Sequence, residues 1–161
     1  MIPHRSFWIA VAALVIGSCG GAQNAGDTLP PVRPAGRLID VGAFGSLVEH
    51  DSLVAVRESG PHAGGGETTA YPFFADAPQL ALVFRKRALH RGAAIGYHRQ
   101  ETDEVYYVLA GRGELTLDGV RREVGPGTAI LTRSGSSHGL RQLGTKDLVI
   151  VVSYLQAQCE R

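Results

Sequence analysis

Short apolar runs, separated by turn residues, fill the chain from Arg37 onward. No window of a dozen residues shows the stripe of an amphipathic helix, and the segment from Gly45 to Val56 alternates in a way that favours strand over helix. Many short strands at close spacing predict an all-β fold, either a sandwich or a small barrel. The predicted strands are Leu38–Val41, Leu53–Glu58, Leu80–Leu89, Ile95–Gln100, Glu104–Ala110, Gly113–Leu117, Arg121–Val124, Ala129–Thr132, His138–Gln142 and Leu148–Leu155.

One turn signal between these runs is specific. Asp118-Gly119 stands between two strand-like runs, Gly113–Leu117 and Arg121–Val124. A two-residue hairpin turn needs positive φ at both central residues, and Asp-Gly is a favoured pair there. The two runs are therefore predicted to form a β-hairpin.

The first residues of the chain have the pattern of an export signal. Ten apolar residues, Phe7–Ile16, follow Arg5, and a helix needs about 20 to cross a bilayer. Gly17, Ser18 and Cys19 come next, and this stretch resembles a bacterial lipobox. The resemblance implies that residues 1–18 are removed as a signal peptide and that Cys19 is lipidated. The expected product is an exported protein whose lipid anchor holds it to a bacterial membrane, facing the periplasm.

Two details refine that expectation. Gly20 is not the Asp that, by resemblance, would favour the inner membrane, so the outer membrane is favoured. Cleavage after Ala22 would instead release a soluble periplasmic protein, and an uncleaved anchor is a third alternative. Residues 19–36 are rich in Gly, Pro and small polar residues and are predicted to be a flexible tether. The predicted folded domain is residues 37–158.

Composition and charge exclude several classes. The 161 residues include 16 Lys+Arg and 15 Asp+Glu, a net charge of +1. This balance gives no reason to expect nucleic acid as a partner. We expect the protein to contact the membrane only through the lipid anchor. The 21 Gly and 8 Pro recur at no fixed period, which excludes collagen-like and solenoid folds. If Cys19 carries lipid, Cys159 is the remaining thiol and no internal disulfide forms.

Two spaced motifs lie in the centre of the chain. The first has Gly92, His98, Gln100, Glu104 and Gly111. This spacing resembles the first cupin motif, with Gln100 at the position where a second His usually stands. The resemblance implies a small cupin barrel, a double-stranded β-helix or jelly roll. Homodimers are common among cupins, so a homodimer is also expected.

The second motif supports the same resemblance. Gly127, Arg133, Gly135, His138 and Gln142 have the spacing of the second cupin motif, with Arg133 in place of Pro and Gln142 in place of Asn. The segment between the two motifs has the length of the short hairpin that joins them in cupins.

These motifs define a candidate metal site. His98 and Gln100 are two apart in a strand and face the same way, Glu104 opens the next strand, and His138 begins a later strand that a barrel can bring opposite. Two imidazoles, an amide oxygen and a carboxylate suit one divalent ion, either Mn, Fe, Co, Ni or Zn. Because an amide is a poorer donor than an imidazole, a metal-free binding cup is the alternative.

Further polar residues are candidates for contacting a small-molecule ligand. Tyr106 shares the inward parity of Glu104, and it either bonds a substrate or packs in the core. Arg85 and Arg87 share one face of their strand and are candidates to bind a carboxylate or phosphate. The alternative for both arginines is a solvated sheet edge kept basic against strand pairing.

The glycine-rich segment from Gly60 to Tyr71 has two interpretations. Three consecutive glycines, Gly64–Gly66, follow His62 and precede Glu67. They form either a plain surface loop or a mobile lid that supplies a polar group on closure. A phosphate-binding loop is excluded because no Lys-Ser/Thr pair follows.

Three functions are compatible with the sequence. The first is a metal-dependent enzyme, such as a dioxygenase, decarboxylase or isomerase, in which Glu104 is the candidate catalytic residue that moves a proton. The second is a non-catalytic module that binds a small acid or sugar at the cell surface, and the third is a structural scaffold. No nucleophile elbow occurs, so covalent catalysis is not favoured.

Overall fold

A computed structural model of the chain describes residues 39–40 and 45–156. The predicted signal peptide, Cys19, the tether and Cys159 lie outside the described residues. The elements are β1 (Ile39–Asp40), β2 (Leu47–Val48), α1 (Asp51–Val54), β3 (Val56–Ser59), β4 (Glu67–Phe73), β5 (Leu82–Leu89), β6 (Ala94–Arg99), β7 (Glu104–Ala110), β8 (Arg112–Leu117), β9 (Val120–Val124), β10 (Ala129–Thr132), β11 (Ser137–Leu143) and β12 (Leu148–Leu155).

Two antiparallel sheets make up the domain. One has six strands in the order β10-β7-β12-β5-β4-β3, and the other has four in the order β6-β11-β8-β9. A separate pair joins β1 to β2. Within the described residues the single helix, α1, has four residues, and none is long and apolar enough to cross a membrane. The predicted all-β class is confirmed.

The core lies between the two sheets, and strands such as β7 and β10 alternate buried and exposed residues along their length. Leu115 and Leu140 come from the four-stranded sheet, and Val108, Leu148 and Ile150 come from the six-stranded sheet. All five are at most 2% exposed, so they form one continuous apolar cluster.

The predicted hairpin is confirmed. β8 pairs with β9 in antiparallel register, and the turn between them holds Asp118 at φ 47° and Gly119 at φ 80°. Several strand predictions also match the structure residue for residue, namely Glu104–Ala110, Ala129–Thr132 and Leu148–Leu155.

Two predictions near the start of the domain were wrong. The predicted strand Leu53–Glu58 begins as the short helix α1, which His50 caps by accepting a hydrogen bond from the Ser52 amide, and only its second half is strand. The segment from Gly60 to Tyr71 is neither a surface loop nor a lid throughout. From Glu67 onward it is β4, which pairs on one side with β3 and on the other with β5.

Candidate functional site

The two motif histidines meet across one strand pair. His98 on β6 and His138 on β11 are direct partners in the antiparallel register. The register shifts between His138 and Leu140, so that two residues of β6, Gly96 and Tyr97, stand opposite one residue of β11, Gly139. This bulge reverses the side-chain parity of β6, and Ile95 and His98 consequently both point inward. The sequence gives no sign of the bulge beyond Gly96.

The opposite sheet supplies a carboxylate and a phenol. Glu104 begins β7, and Tyr106 and Val108 share its inward parity, all three being buried. The predicted inward direction of Tyr106 is therefore confirmed. The Tyr106 hydroxyl and His138 Nε2 share a hydrogen bond of 3.0 Å, so Tyr106 reaches across the core to the motif histidine.

Two buried polar atoms at this point have no hydrogen-bond partner among the described residues. One is Glu104 Oε2, which lies 3.4 Å from His138 Nε2, and the other is His138 Nδ1. The His98 and His138 rings meet edge to face, with centroids 4.6 Å apart. Buried polar atoms are nearly always paired in folded proteins, so unpaired ones indicate a place where another group belongs.

Burial shifts the protonation of these groups. It lowers the pKa of His138 to about 4, with the neighbouring His98 and His62 acting in the same direction. The pKa of Glu104 is raised by burial, which Tyr106, His98 and Arg85 partly oppose. Burial also raises the pKa of Tyr106 well above its ordinary value. At neutral pH His138 is therefore a neutral imidazole, and its contact with Glu104 is not an ion pair.

A cavity of about 490 Å³ opens onto these groups, with His62, His98, Gln100, Glu104 and Tyr154 in its wall. The volume lies within the range of small-molecule pockets. Gln100 is half-buried here, and its backbone amide donates to the Ser136 carbonyl. Of the four predicted metal ligands, the structure brings His98, Gln100 and Glu104 to this cavity, and His138 lies directly behind them.

The donor chemistry of this cluster fits a divalent cation. Glu104 Oε2 is a buried carboxylate oxygen without a partner among the described residues, and it lies 3.4 Å from a nitrogen of the neutral His138 imidazole, so a cation bound there would satisfy the carboxylate. His98 Nδ1 is bonded to the Gly96 carbonyl at 2.8 Å, which leaves Nε2 as the lone-pair nitrogen. Among the described residues no three His, Cys, Asp or Glu side chains already surround a common point. Binding an ion therefore requires side-chain adjustment.

Arg85 and Arg87 line a smaller cavity beneath the site, next to Glu104 and Tyr106. The alternative of a solvated edge is wrong, because β5 lies between β12 and β4 inside the sheet. Arg87 is buried and committed to internal contacts, donating to Thr68 Oγ1 at 2.9 Å and pairing with Glu58 at 2.6 Å.

Arg85 is less committed than Arg87. Its guanidinium lies 5.9 Å from the centre of the Tyr154 ring, and no carboxylate within the described part of the chain forms an ion pair with it. Arg133, which stands in place of the Pro of the second motif, is exposed and pairs with Asp103 at 3.0 Å.

His62 is a site residue that sequence reasoning did not assign. Its ring stacks on His98 with centroids 3.4 Å apart and planes 7° apart. Of the two interpretations of the glycine-rich segment, only the lid included a polar group, and its partner was not predictable because the two histidines are 36 positions apart in the sequence.

Comparisons with known proteins agree with this architecture. The family model for the cupin domain matches residues 87–154. The oxalate-binding protein of Thermotoga maritima is 30% identical over 107 residues, which are 65% of this chain and 88% of the relative. A Thermotoga maritima structure described as a predicted oxalate decarboxylase is 26% identical, with a TM-score of 0.63 over 68% of this chain and 99% of the other. The polyketide cyclase RemF of Streptomyces resistomycificus is 25% identical, with a TM-score of 0.58 over 70% of this chain and 81% of the other.

The fold is that of a small, single-barrel β protein with a polar cavity at one end. The chain belongs to the cupin family, and the predicted small cupin jelly roll is confirmed.

Proposed function

We propose that this cupin binds a divalent metal ion through His98, Gln100, Glu104 and His138 and, beside it, a small carboxylic acid. One observation carries the proposal: among the described residues Glu104 Oε2 is buried and unsatisfied at the wall of a cavity large enough for a small molecule, and the neutral His138, whose Nδ1 is also unpaired, lies directly behind that wall. The identity of the ion stays open among Mn, Fe, Co, Ni and Zn.

A carboxylic acid is favoured by the position of Arg85. This arginine lies beneath the site with no acidic partner among the described side chains, whereas Arg87 is already neutralised by Glu58. A guanidinium binds a carboxylate through two parallel hydrogen bonds. The relative from Thermotoga maritima is named an oxalate-binding protein, which supports the same ligand class.

The residues around the proposed ligand would have separate roles. When bound, a divalent ion would polarise a carboxylate or carbonyl oxygen of the ligand. Arg85 would orient the acid. Glu104 would give or take a proton of the acid at Oε2 when that oxygen is not bound to the ion. Tyr106 stays protonated, because burial raises the pKa of its phenol well above the ordinary value.

Calorimetric titration with oxalate in the presence of Mn²⁺ tests the acid site. We expect Arg85→Met to weaken oxalate binding by about 10-fold or more, the loss typical of a hydrogen bond to a charged group. Arg91→Met is the matched control, since Arg91 is exposed and lines neither the large cavity nor the smaller one that Arg85 lines. Equal affinity of wild type and Arg85→Met would contradict the acid-binding role of Arg85.

Binding without catalysis is a second candidate function. The amide of Gln100 in place of an imidazole and the name of the oxalate-binding relative both favour it. An enzyme of the dioxygenase, decarboxylase or isomerase type would consume the acid, whereas a binding module would return it intact. Incubating metal-loaded protein with oxalate and following CO₂ and formate therefore separates a decarboxylase from a binding module.

We further propose that Cys19 is lipidated after removal of residues 1–18, which anchors the domain at a bacterial membrane facing the periplasm. The lipobox-like residues Gly17, Ser18 and Cys19 support this. Palmitate labelling of the full chain should be lost in Cys19→Ser, and the protein should move from the membrane fraction to the soluble fraction. Unchanged labelling would contradict lipidation at this residue.

The expected homodimer stays a prediction. Side chains on the outer face of the six-stranded sheet are apolar and exposed, including Val105, Tyr107, Leu109 and Leu131. Contiguous exposed apolar surface is typical of protein interfaces. Light scattering on wild type and on Tyr107→Glu tests whether this face joins two copies.

A further inference from the structure

The turn from Gly60 to Gly66 carries His62 to the metal cluster from outside both motifs. This turn follows β3 of the six-stranded sheet and lies against β6, the outermost strand of the other sheet. His62 lines both the large cavity and the smaller one beneath it. Its ring covers one face of His98.

Backbone contacts hold this turn firmly against β6. The Gly96 amide donates to the Pro61 carbonyl at 3.0 Å, and the Ala94 amide donates to the Gly65 carbonyl at 3.1 Å. The approach is so close that a Cβ on Gly64 would lie 2.0 Å from the Ala94 carbonyl oxygen. The main chain at His62 is therefore fixed, and only its side-chain torsions remain free.

The backbone of this turn is also strained at the histidine. His62 has φ 53° and the next residue, Ala63, has φ 57°, a left-handed conformation that residues with a Cβ rarely adopt. Glycine or asparagine would adopt it more readily. Strained non-glycine residues cluster at functional sites, where the side chain has a task that outweighs the strain.

The imidazole of His62 has a nitrogen lone pair that is available to a ligand. It makes no hydrogen bond with any part of the chain that the structure describes, and it is exposed on its outer side. Its neighbour His98 has Nδ1 bonded to a carbonyl and Nε2 free. Two imidazoles with free nitrogens thus stand in contact beside the unpartnered carboxylate oxygen of Glu104.

We propose that His62 is an additional metal ligand, which supplies a third imidazole next to His98 and His138 and compensates for the amide of Gln100. The assignment rests on the proposed metal site. Parallel stacking does not itself point both rings at one ion, so His62 turns about its side-chain bonds when the ion binds. Three imidazoles and a carboxylate favour borderline ions such as Zn²⁺, Ni²⁺ or Co²⁺ over hard ions.

Titration of the full chain with Zn²⁺ tests this assignment, with long-range ¹H–¹⁵N NMR spectra of the histidine rings as the readout. Up to one equivalent, we expect ring nitrogens of His62, His98 and His138 to shift together to metal-bound positions. His50 and His90, which lie outside the cavity wall, should not move.

Affinity for Zn²⁺ gives the second readout. His62→Asn, which tolerates the left-handed backbone, should bind Zn²⁺ at least about 10-fold more weakly than wild type. His50→Asn is the matched control, because asparagine preserves the cap of α1. Shifts at His98 and His138 without a shift at His62, together with unchanged affinity of His62→Asn, would overturn the ligand assignment and leave the metal site standing. Absence of shifts at all three rings would overturn both.

Discussion

Buried polar groups are fully hydrogen-bonded at one end of the barrel and unpaired at the other. At the far end, the Gln142 side chain accepts from the Gly92 amide and donates to the carbonyls of Leu143, Gly144 and Lys146, at 2.8 to 3.1 Å. At the cavity end, Glu104 Oε2 and His138 Nδ1 are buried without partners in the described structure. Strand β11 joins the two ends, since His138 and Gln142 both lie on it.

Within one sheet, some polar residues stabilise the fold and others are left available for a ligand. A polar group that is fully hydrogen-bonded stabilises the fold, whereas an unsatisfied one lowers stability and is retained where a ligand completes it. The second motif therefore contains both kinds of residue, with Gln142 holding two turns together and His138 left available. Substitutions at the two ends therefore distinguish residues that stabilise the fold from residues that are available for a ligand.

The largest expected effect is at the far end. Gln142→Leu keeps the size of the side chain but removes its four hydrogen bonds, so we expect a loss of about 3 kcal/mol in the free energy of unfolding. Urea denaturation measures it. The control is Gln100→Leu at the cavity end, where the amide side chain makes no hydrogen bond within the described residues and the loss should be about 1 kcal/mol or less. Equal losses would contradict the contrast.

A second prediction concerns the turn that carries His62. Gly96→Ala would place a Cβ 1.9 Å from the His62 carbonyl oxygen, so the turn must separate from β6 at a cost of about 2 kcal/mol. Thermal denaturation measures the loss. Gly125→Ala is the control, because the nearest atom to its added Cβ is 3.9 Å away. A Gly96→Ala variant as stable as Gly125→Ala would show that the turn is held loosely.

A third prediction is the pH dependence of the metal-free protein. Because the folded state lowers the pKa of His138 from 6.5 to about 4, the stability that depends on this ring is lost as the pH falls through 6.5 toward 4. Between pH 7 and pH 5 the loss expected from His138 alone is about 2 kcal/mol, measured by urea denaturation with chelator present. The raised pKa of Glu104 acts in the opposite sense, since it lowers stability as the pH rises.

The variant His138→Gln isolates the imidazole in that experiment. It removes the titrating ring and should flatten most of the slope between pH 7 and pH 5. A slope as steep as that of wild type would assign the pH dependence to other groups, such as His62, whose pKa is also lowered by burial.

The smallest predicted effect has the opposite sign. Glu104→Gln removes a buried charge that has an unpartnered oxygen, so at pH 7 and without metal the variant should be more stable than wild type by about 1 kcal/mol. Glu114→Gln is the control, since Glu114 pairs with Arg141 at 2.9 Å and its loss should be neutral or mildly destabilising. Clear destabilisation by Glu104→Gln would mean that this carboxylate already has its partners.

Local patterns in the sequence predicted much of the fold. The period-two alternation from Glu104 to Ala110 predicted which side chains face inward, and Asp118-Gly119 predicted its hairpin, because both depend on neighbouring residues alone. The spacing of His98, Glu104 and His138 is what resembles cupins. A barrel brings their strands together, so the convergence of these three side chains could be predicted as well.

Features that depend on distant contacts were not predictable. Three consecutive glycines, Gly64–Gly66, indicate flexibility when taken alone, but here Gly64 and Gly66 permit close packing against the backbone of Ala93 and Ala94 at the start of β6. The stacking of His62 on His98 forms only when the two sheets have assembled, and the bulge in β6 forms only when β6 pairs with β11. Strand β4 was missed because it has no period-two alternation: Thr68, Thr69 and Ala70 are all buried.

The most direct test of the central claim is the metal content of the purified chain, prepared without chelator and measured by elemental mass spectrometry. We expect close to one equivalent of a divalent transition metal in wild type and in Gln142→Asn, a far-end change. We expect almost none in His98→Ala or Glu104→Gln. Wild-type protein that holds no metal after loading, or His98→Ala that holds as much as wild type, would contradict the proposed metal site.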